Sequence, residues 1–215
     1  MFLWDAWHFP NGETHLPNRM KKIDLRVDGR LTYQYPLYLE ALGRTTGRGV
    51  AVDVGAHIGL FSYWMVRDFD QVIAFEPVEA HRECWRANVP ERVQDLLYPF
   101  ALGATDGSVR LEPVDPSSSG GTYVAGTGPI DMYPLDRFNL QRLDLLKIDC
   151  EGYERNVLEG AVRTVKRCRP VVVVEQRPKQ VALHGNGATD AVKGLQRLGA
   201  SVAWSDQRDF VMVWS

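Results

Sequence analysis

The stretch Val50–Ser62 constrains the fold of this chain more than any other part of its sequence. It reads VAVDVGAHIGLFS, where a short β-branched run containing Asp53 leads into a turn between Gly55 and Gly59 and then into a helical pattern. A strand, tight turn and helix of this kind bring backbone N–H groups and the positive end of a helix towards a bound anion, and glycine lets a ligand approach the backbone closely. The stretch therefore predicts a nucleotide-like ligand.

A second apolar strand, Val72–Phe75, is followed by the carboxylate of Glu76 and by Pro77. Glu76 lies about 20 residues beyond the first glycine of the turn, which is where a dinucleotide-type fold places the acid that binds the ribose hydroxyls. Pro77 is typical of the first turn of a helix. The second strand therefore strengthens the prediction made from the first.

Length and composition indicate one globular domain. The chain has 215 residues, of which 45% are hydrophobic and 24% charged, and this is enough for a single buried core. Its 25 basic and 27 acidic residues give a formal charge of -2. We therefore expect no general attraction to nucleic acid or to an anionic membrane.

The N-terminal segment and the cysteines favour a cytoplasmic protein. The apolar start is interrupted by Asp5 and His8 and has no basic region, so it is not typical of a signal peptide. No segment approaches the roughly 20 apolar residues that span a bilayer. The three cysteines have neither disulfide-framework nor zinc-ligand spacing. We predict reduced thiols, no membrane and no nucleic-acid partner.

The order of strands and helices predicts an α/β fold with a doubly wound, mostly parallel sheet. Residues 1–45 mix aromatic residues with Pro and Gly, which is typical of a short N-terminal cap on a domain formed by residues 46–215. In the cap, Lys21–Val27 alternates like an edge strand. Val93–Ala101 is predicted as a third strand of the sheet, and two strands near 200–205 and 209–214 form a terminal antiparallel hairpin.

Residues 113–130 have a different composition from their surroundings. They read PVDPSSSGGTYVAGTGPI, which is rich in Pro, Ser and Gly and has no helical period. A linker between two domains is one interpretation. Because the remaining segment is too short for a second domain, a mobile loop over a site is the favoured one.

Acidic residues recur at the ends of the buried strands, at Asp53, Glu76, Asp149 and Glu175. Each acid alone is explained by a helix N-cap or a turn. However, ligands of open parallel sheets bind outside the carboxyl ends of the strands. The recurrence therefore predicts one site at this edge of the sheet.

The glycine turn itself narrows the class of ligand. Gly55–Gly59 is a GxxxG turn, and His57 stands where GxGxxG has the central glycine that lets a pyrophosphate approach. A dinucleotide is therefore disfavoured. A ligand with adenosine at one end and no pyrophosphate fits better, and S-adenosylmethionine is such a molecule.

Five segments of the chain carry a resemblance to a known family. They are Val52–Ser62, Ala74–Pro77, Ala101–Gly103, Leu146–Glu154 and Val173–Glu175. In order and spacing they resemble the FkbM family of class I S-adenosylmethionine-dependent methyltransferases. The KIDCEG element within the fourth segment is more specific than the glycine turn, which many nucleotide-binding folds share. The resemblance implies a Rossmann-like, seven-stranded sheet.

The resemblance also implies which residues bind S-adenosylmethionine at its methionine end. They are Asp53 and the residues of the glycine turn, Gly55, Ala56, His57 and Gly59. His57 stands where the family pattern usually has Asn, which puts a titratable ring near this end of the cofactor.

At the other end of the cofactor, the resemblance implies that Glu76, with Pro77 beside it, binds the ribose hydroxyls. It implies that Ala101 and Leu102 form the wall near adenine. Asp149 is implied to face both the sulfonium methyl group and the acceptor.

Asp149 and Glu151 are the catalytic candidates. A carboxylate can accept a hydroxyl proton or orient the acceptor, and methyl transfer depends on holding the acceptor in line with the S–CH₃ bond. Glu151 has a second interpretation, since a carboxylate in the first turn of a helix is favourable by itself. Lys147 shares the strand face of Asp149 and is expected to pair with an acid.

The acceptor implied by the resemblance is a hydroxyl group on a sugar, a glycan or another small metabolite, with S-adenosylhomocysteine as the second product. Asp149, Glu151 and Glu175 offer the oxygen ligands that Mg²⁺ prefers, but their spacing matches no known metal site and no metal is predicted. Two alternatives remain open. One is an NAD(P)-dependent oxidoreductase on a similar sheet, and the other is a noncatalytic cofactor-binding module.

Overall fold

The computed structural model describes residues 1–115, 118–206 and 208–214, without the side chains of residues 93–95 and 115. Its strands are β1 (Phe2–Trp4), β2 (Trp7–Phe9), β3 (Leu25–Val27), β4 (Arg30–Thr32), β5 (Val50–Val54), β6 (Gln71–Phe75), β7 (Leu97–Tyr98), β8 (Ala101–Leu102), β9 (Gly107–Asp115), β10 (Ser118–Tyr133), β11 (Leu145–Ile148), β12 (Val171–Glu175), β13 (Ala200–Ser205) and β14 (Asp209–Trp214). Its α-helices are α1 (His15–Ile23), α2 (Tyr35–Leu42), α3 (Leu60–Asp68), α4 (Glu79–Asn88), α5 (Glu154–Glu159), α6 (Val162–Cys168), α7 (Pro178–Ala182) and α8 (Asp190–Arg197), and 3₁₀ helices span Glu91–Leu96 and Leu135–Phe138.

The central sheet has seven strands in the order β13-β14-β12-β11-β5-β6-β7. The five strands from β12 to β7 are parallel, and β14 and β13 join them antiparallel. This confirms the predicted α/β fold with a mostly parallel, seven-stranded sheet and a terminal antiparallel hairpin. The carboxyl ends of β5, β6, β11 and β12 lie side by side, because these strands are parallel neighbours.

Successive residues of the central strands pack into two different cores. In β11, Leu145 lies in the core formed with the N-terminal cap, α3 and α4, whereas Leu146 lies in the core formed with α5, α6 and α8. Both leucines are fully buried. Because helices cover both faces of the sheet, its central strands are continuous apolar runs rather than alternating ones.

The N-terminal cap consists of two short hairpins, β1–β2 and β3–β4, with α1 between them and α2 after them. Trp7 and Tyr38 of the cap are buried in the same core as Phe61 of α3. The predicted edge strand Lys21–Val27 is wrong over its first half, since α1 continues to Ile23 and only β3 is extended. Asp24 ends α1 in a left-handed conformation, and its N–H bonds back to the carbonyl of Met20.

The predicted loop at 113–130 is wrong in its conformation. The described residues of this stretch belong to β9 and β10, an antiparallel hairpin that β8 extends on its other side. The register between the two strands shifts three times, near Thr122, Gly126 and Ile130. Small residues tolerate such bulges without a clash, so a composition typical of a loop is compatible with paired strands.

The predicted third strand, Val93–Ala101, is also wrong as a single element. Its first part lies in the 3₁₀ helix Glu91–Leu96, β7 then pairs with β6 of the central sheet, and β8 pairs with β10 of the hairpin sheet. The chain therefore leaves one sheet and enters another within a few residues. This crossing brings the β9–β10 hairpin beside the carboxyl ends of the parallel strands.

Candidate active site

Two adjoining cavities lie at the carboxyl edge of the parallel strands. The first, of about 610 Å³, is lined by Glu76 and is called here the Glu76 cavity. The second, of about 1020 Å³, is lined by Ala56 and is called the Ala56 cavity. Both are lined by His57, Asp149 and Glu151. The two cavities meet at the residues that follow β5 and β11.

The glycine turn is tightly packed against the end of β11. Gly55 has φ +73°, and a Cβ on it would lie 1.9 Å from the carbonyl oxygen of Asp149. Gly59 has φ +88°, and a Cβ there would meet Val89 and Trp85. Only glycine has the conformational freedom and the small size for these two positions.

The prediction that the turn directs its N–H groups at a bound anion is wrong for the groups that the structure assigns. The N–H groups of Gly55 and Ala56 donate to the carbonyl of Phe75, at 3.0 and 3.1 Å, and that of His57 donates to Oε2 of Glu76 at 2.8 Å. The neighbouring strand β6 therefore satisfies the turn. The turn therefore lines the cavities without free N–H groups from these three residues, and it holds the carboxylate of Glu76 in place.

The buried carboxylate of Glu76 has three hydrogen-bond partners. Besides the N–H of His57, its Oε1 accepts the N–H of Val78 at 2.9 Å and lies 3.2 Å from Nδ1 of His81. Burial alone would raise the pKa of Glu76, but the interaction with His81 and these backbone hydrogen bonds outweigh it and lower the pKa below its ordinary value. Glu76 is therefore an ionised hydrogen-bond acceptor in the wall of its cavity.

His57 joins the glycine turn to the β9–β10 hairpin. Its Nε2 lies 2.8 Å from Oγ of Ser119, and Oγ in turn lies 2.5 Å from Oε2 of Glu13 in the cap. A carboxylate only accepts, so the Ser119 hydroxyl donates to Glu13 and accepts from Nε2–H of His57. Burial, with the nearby charges of His81 and Lys147, lowers the pKa of His57 well below 6.5. The ring is neutral, with its proton on Nε2.

Asp53 lies beneath the cavities and lines neither of them, and it is fully buried. It accepts a hydrogen bond from Oγ of Ser62 at 2.6 Å and forms an ion pair with Lys147, whose Nζ lies 3.1 Å from its Oδ1. Gly59 likewise lines neither cavity. The cofactor contacts of Asp53 and Gly59 stay a prediction, because neither residue lines either cavity.

Lys147 is a buried cation between Asp53 and Asp149 at the carboxyl edge of the parallel strands. Its Nζ lies 3.1 Å from Asp53 and 3.8 Å from Oδ2 of Asp149, and it donates to the carbonyl of Gly55 at 2.7 Å. Burial opposes its charge, but the two carboxylates outweigh burial and raise the pKa of Lys147 above its ordinary value. The expected pairing of Lys147 with an acid is confirmed, and the pair ties β5 to β11.

Asp149, Glu151 and Glu175 form a cluster in which one oxygen of each lies within 4.8 Å of the others. Arg177 lies against two of them, with Nε 2.7 Å from Oε1 of Glu175 and Nη1 3.4 Å from Oε1 of Glu151. The three acids predicted to share one edge of the sheet are thus brought together. Arg177, which sequence reasoning missed, and Lys147 offset their charge.

The three carboxyl groups of the cluster differ in their pKa values. Burial, followed by the charge of Asp149, raises the pKa of Glu151 to about 7 and that of Glu175 well above its ordinary value. For Asp149, burial is outweighed by Lys147, a hydrogen bond with Glu175 and Arg177, so its pKa is lowered. Asp149 is therefore the member of the cluster that ionises most readily, and it shares a hydrogen bond with Glu175.

The remaining predicted residues line one cavity or both. Gly55 and His57 line both cavities, and Ala56 lines the Ala56 cavity. Pro77, Ala101 and Leu102 line the Glu76 cavity together with Glu76 itself.

Besides Arg177, four residues beside the site were missed by sequence reasoning: Glu13, His81, Ser119 and Tyr153. His81 follows Glu76 by five positions and falls in the first turns of α4, which is the one signal that the sequence offered for them.

The parallel sheet with its terminal antiparallel hairpin, the glycine turn after β5 and the carboxylate after β6 define a Rossmann-like fold of the class I methyltransferase type. Residues 53–192, more than half of the chain, match the family model described as the methyltransferase FkbM domain. The chain belongs to the FkbM family of S-adenosylmethionine-dependent methyltransferases.

Solved structures of methyltransferases share the fold at low sequence identity. The FkbM methyltransferase from Methylobacillus flagellatus is 18% identical with a TM-score of 0.46, covering 79% of this chain and 44% of that one. The precorrin-6y C5,15-methyltransferase from Geobacter metallireducens is 14% identical with a TM-score of 0.50, covering 90% and 95%. An O-methyltransferase from Bacillus cereus, in complex with S-adenosylhomocysteine, is 15% identical with a TM-score of 0.48, covering 94% and 89%.

The present chain thus spans less than half the length of the Methylobacillus protein. No curated protein matches it in sequence. Among the described residues, every helix is too short or too polar to cross a membrane.

Proposed function

We propose that the protein transfers the methyl group of S-adenosylmethionine to a hydroxyl oxygen of a sugar, a glycan or another small metabolite. The observation that carries this proposal is the meeting of two cavities at Asp149 and Glu151. The Glu76 cavity has the features of a cofactor site, and the Ala56 cavity is available to an acceptor. A carboxyl group at their junction can reach the acceptor hydroxyl where it faces the methyl group. Family membership supports methyl transfer over the nicotinamide alternative.

The Glu76 cavity fits the adenosine part of the cofactor. Glu76 is ionised, and its three partners His57, Val78 and His81 leave one of its about four lone-pair positions to accept from a ribose hydroxyl. Ala101 and Leu102 are buried apolar residues that line the same cavity and suit the adenine ring. Gly55 and Asp149, which line both cavities, would hold the methionine part.

Glu151 is the better candidate for the proton acceptor. It is only 7% exposed, and its Oε2 has no hydrogen-bond partner. Its backbone has φ +49°, which is unusual for a residue other than glycine and is seen most often at functional sites. A pKa of about 7 lets Glu151 bind and release a proton near neutral pH.

Bound S-adenosylmethionine supplies an electrophilic methyl group on a sulfonium sulfur. The chain's own residues hold the acceptor and accept its proton. Glu151 would accept the proton that the acceptor hydroxyl loses as its oxygen gains the methyl group, and S-adenosylhomocysteine would leave as the second product. Asp149 is held ionised by Lys147 and orients the acceptor from the other side. Arg177 keeps Glu151 in place.

Calorimetry with S-adenosylhomocysteine, S-adenosylmethionine and NAD tests the cofactor, and labelled S-adenosylmethionine with a pool of hydroxylated metabolites and glycans tests the reaction. We expect both sulfur compounds to bind and NAD not to bind. Glu151→Gln and Asp149→Asn should reduce methyl transfer and leave binding of S-adenosylhomocysteine largely intact. Glu159→Gln, at an exposed position of α5, is the matched control.

Three outcomes would contradict the proposal in different ways. Failure of both sulfur compounds to bind removes the cofactor assignment. Binding without transfer to any hydroxylated compound favours the noncatalytic module. Full activity of Glu151→Gln and Asp149→Asn removes both residues from the reaction.

A further inference from the structure

Arg19 lies where two cavities on the acceptor side of the site overlap. One is the Ala56 cavity. The other, of about 790 Å³, continues along the sheet edge to Trp204 and is called here the Trp204 cavity. Arg19 and Tyr33 line both cavities, and so does Asp149. A molecule placed with a hydroxyl group at the Asp149 end of these cavities therefore also reaches Arg19.

The guanidinium group of Arg19 is held by an aromatic ring rather than by an acid. Its Cζ lies 4.1 Å from the centroid of the Tyr33 ring. Tyr33 itself packs against the core shared by the cap and α3. A guanidinium that stacks on a fixed ring has less rotational freedom, and its N–H donors stay directed outward in the ring plane.

Arg19 differs in this respect from the other two cations of these cavities. Lys147 is paired with Asp53, and Arg177 is paired with Glu175. Within the part of the chain that the structure describes, no carboxylate forms an ion pair with Arg19. Arg19 is therefore a positioned cation that no described side chain engages in an ion pair, and its hydrogen-bond donors can serve a ligand.

We propose that Arg19 binds an oxyanion of the acceptor, which makes the acceptor an anionic hydroxylated compound. This inference rests on the proposed function and names its substrate class. Carboxylates and phosphates match the planar fork of a guanidinium and accept two parallel hydrogen bonds from it. A sugar acid and a sugar phosphate share this chemistry. In either, the oxyanion contacts Arg19 while a hydroxyl group contacts Glu151.

Acidic residues in the same cavities make this contact selective. Asp209 lines the Trp204 cavity, and Asp149 lines both. An anion placed away from Arg19 meets these carboxylates, and the other two cations there, Lys147 and Arg177, are already paired with acids. Like charges in a partly buried site repel strongly. The competing explanation is that Arg19 only offsets the charge of these acids, and the variants described next separate the two.

The first test measures binding without catalysis. With S-adenosylhomocysteine present, inorganic phosphate, glucuronate, glucose 6-phosphate and glucose are compared by thermal shift at constant ionic strength, set with sodium chloride. We expect the anions to raise the melting temperature of the wild type more than chloride or glucose does. Arg19→Gln should abolish this difference and Arg19→Lys should retain part of it, because lysine keeps the charge but not the fork.

The control is Lys22→Gln, which removes one positive charge from an exposed position of the same helix and should leave the shifts unchanged. Equal shifts for Arg19→Gln and the wild type overturn the inference, and so does the absence of any shift beyond that of chloride. A shift with glucuronate and none with glucose 6-phosphate identifies a carboxylate acceptor. The reverse result identifies a phosphate ester.

The second test uses methyl transfer to matched acceptors, glucose against glucuronate and glucose 6-phosphate. We expect the anionic acceptor to be preferred in kcat/KM by on the order of tenfold, as for one charge-assisted hydrogen-bonded contact. Arg19→Gln should remove this preference mainly through KM. A preference unchanged in Arg19→Gln overturns the inference. Binding of S-adenosylhomocysteine is measured separately. A failure of the proposed function is therefore distinguishable from a failure of the inference about Arg19.

Discussion

The hydroxyl oxygen of Ser119 lies 2.8 Å from Nε2 of His57, although the two residues belong to the β9–β10 hairpin and to the glycine turn. The same hydroxyl contacts Glu13 of the N-terminal cap. Ser119 lines the Glu76 cavity and is followed by Gly120, which lines both cavities. One serine therefore holds three separate parts of the chain together over the junction of the two cavities.

Ser119→Ala should weaken the binding of S-adenosylhomocysteine by about three- to tenfold while leaving the fold intact. The substitution removes a hydroxyl group that donates to the buried carboxylate of Glu13 and accepts from the partly buried ring of His57. One such contact contributes about 0.5–1.5 kcal/mol. Without it the hairpin is held less firmly over the cavities. Calorimetry measures the affinity, and circular dichroism checks the fold.

Ser108→Ala is the matched control, since Ser108 lies on β9 of the same hairpin and lines neither of the two cavities. It should bind S-adenosylhomocysteine as the wild type does. An unchanged affinity in Ser119→Ala would mean that the contact with His57 does not hold the hairpin in place.

How much of this site the sequence predicts depends on whether its contacts are local. The acids Glu76 and Asp149 are brought to one edge because parallel strands carry their carboxyl ends to the same side, and strand patterns are readable from apolar runs. The contact between Glu13 and Ser119 joins residues 106 positions apart. No periodicity in either segment indicates it.

The predictions that the structure contradicts were wrong for the same physical reason, because they depend on contacts that are not local in the sequence. Residues 113–130 lack an apolar alternation because their hairpin is bulged and partly exposed, so composition indicated a loop where strand pairing prevails. They nevertheless lie beside the candidate site, since Thr122 and Val124 line the Glu76 cavity. The N–H groups of the glycine turn are satisfied by the carbonyl of Phe75, a partner that only the assembled sheet provides.

Lys147→Met should destabilise the protein by about 3–5 kcal/mol, because it leaves Asp53 as a fully buried carboxylate without its cation. Urea unfolding measures the loss. Lys166→Met, at an exposed position of α6, should change stability by less than about 0.5 kcal/mol.

The double variant Asp53→Asn, Lys147→Met tests the origin of this loss. It should recover much of the stability, because no unpaired charge then remains in the core. Asp53→Asn is measured alone as well. If the double variant loses as much free energy of unfolding as the two single variants lose in total, the loss comes from packing and not from the ion pair.

Glu151 should give stability and activity opposite dependences on pH. Its pKa is about 7 in the folded protein against an ordinary value of 4.5. Between these values the folded state holds a proton that the unfolded state has lost, so the contribution of Glu151 to stability is present below pH 4.5 and is lost as the pH rises through 7. A proton acceptor must be ionised, so methyl transfer should instead increase with pH up to about 7.

Two measurements on Glu151→Gln check this pair of dependences. In urea unfolding, the variant should gain stability relative to the wild type as the pH rises from 4.5 past 7. In the pH profile of kcat/KM, the rise below about 7 seen in the wild type should be absent from the residual activity of the variant. A wild-type profile that is flat between about pH 5 and 8 would remove Glu151 as the proton acceptor.

Gly55→Ala and Gly185→Ala separate backbone conformation from close packing, since the two glycines have similar φ angles of +73° and +67°. At Gly185 a Cβ meets nothing within 4 Å, so alanine there should cost only the left-handed conformation, about 1–2 kcal/mol. At Gly55 a Cβ would lie 1.9 Å from the carbonyl oxygen of Asp149, so the turn must move away from β11. We therefore expect Gly55→Ala to be clearly less stable in urea and to lose binding of S-adenosylhomocysteine, with Gly185→Ala retaining it. Equal losses in both variants would mean that the close approach of the turn to Asp149 is unimportant for the site.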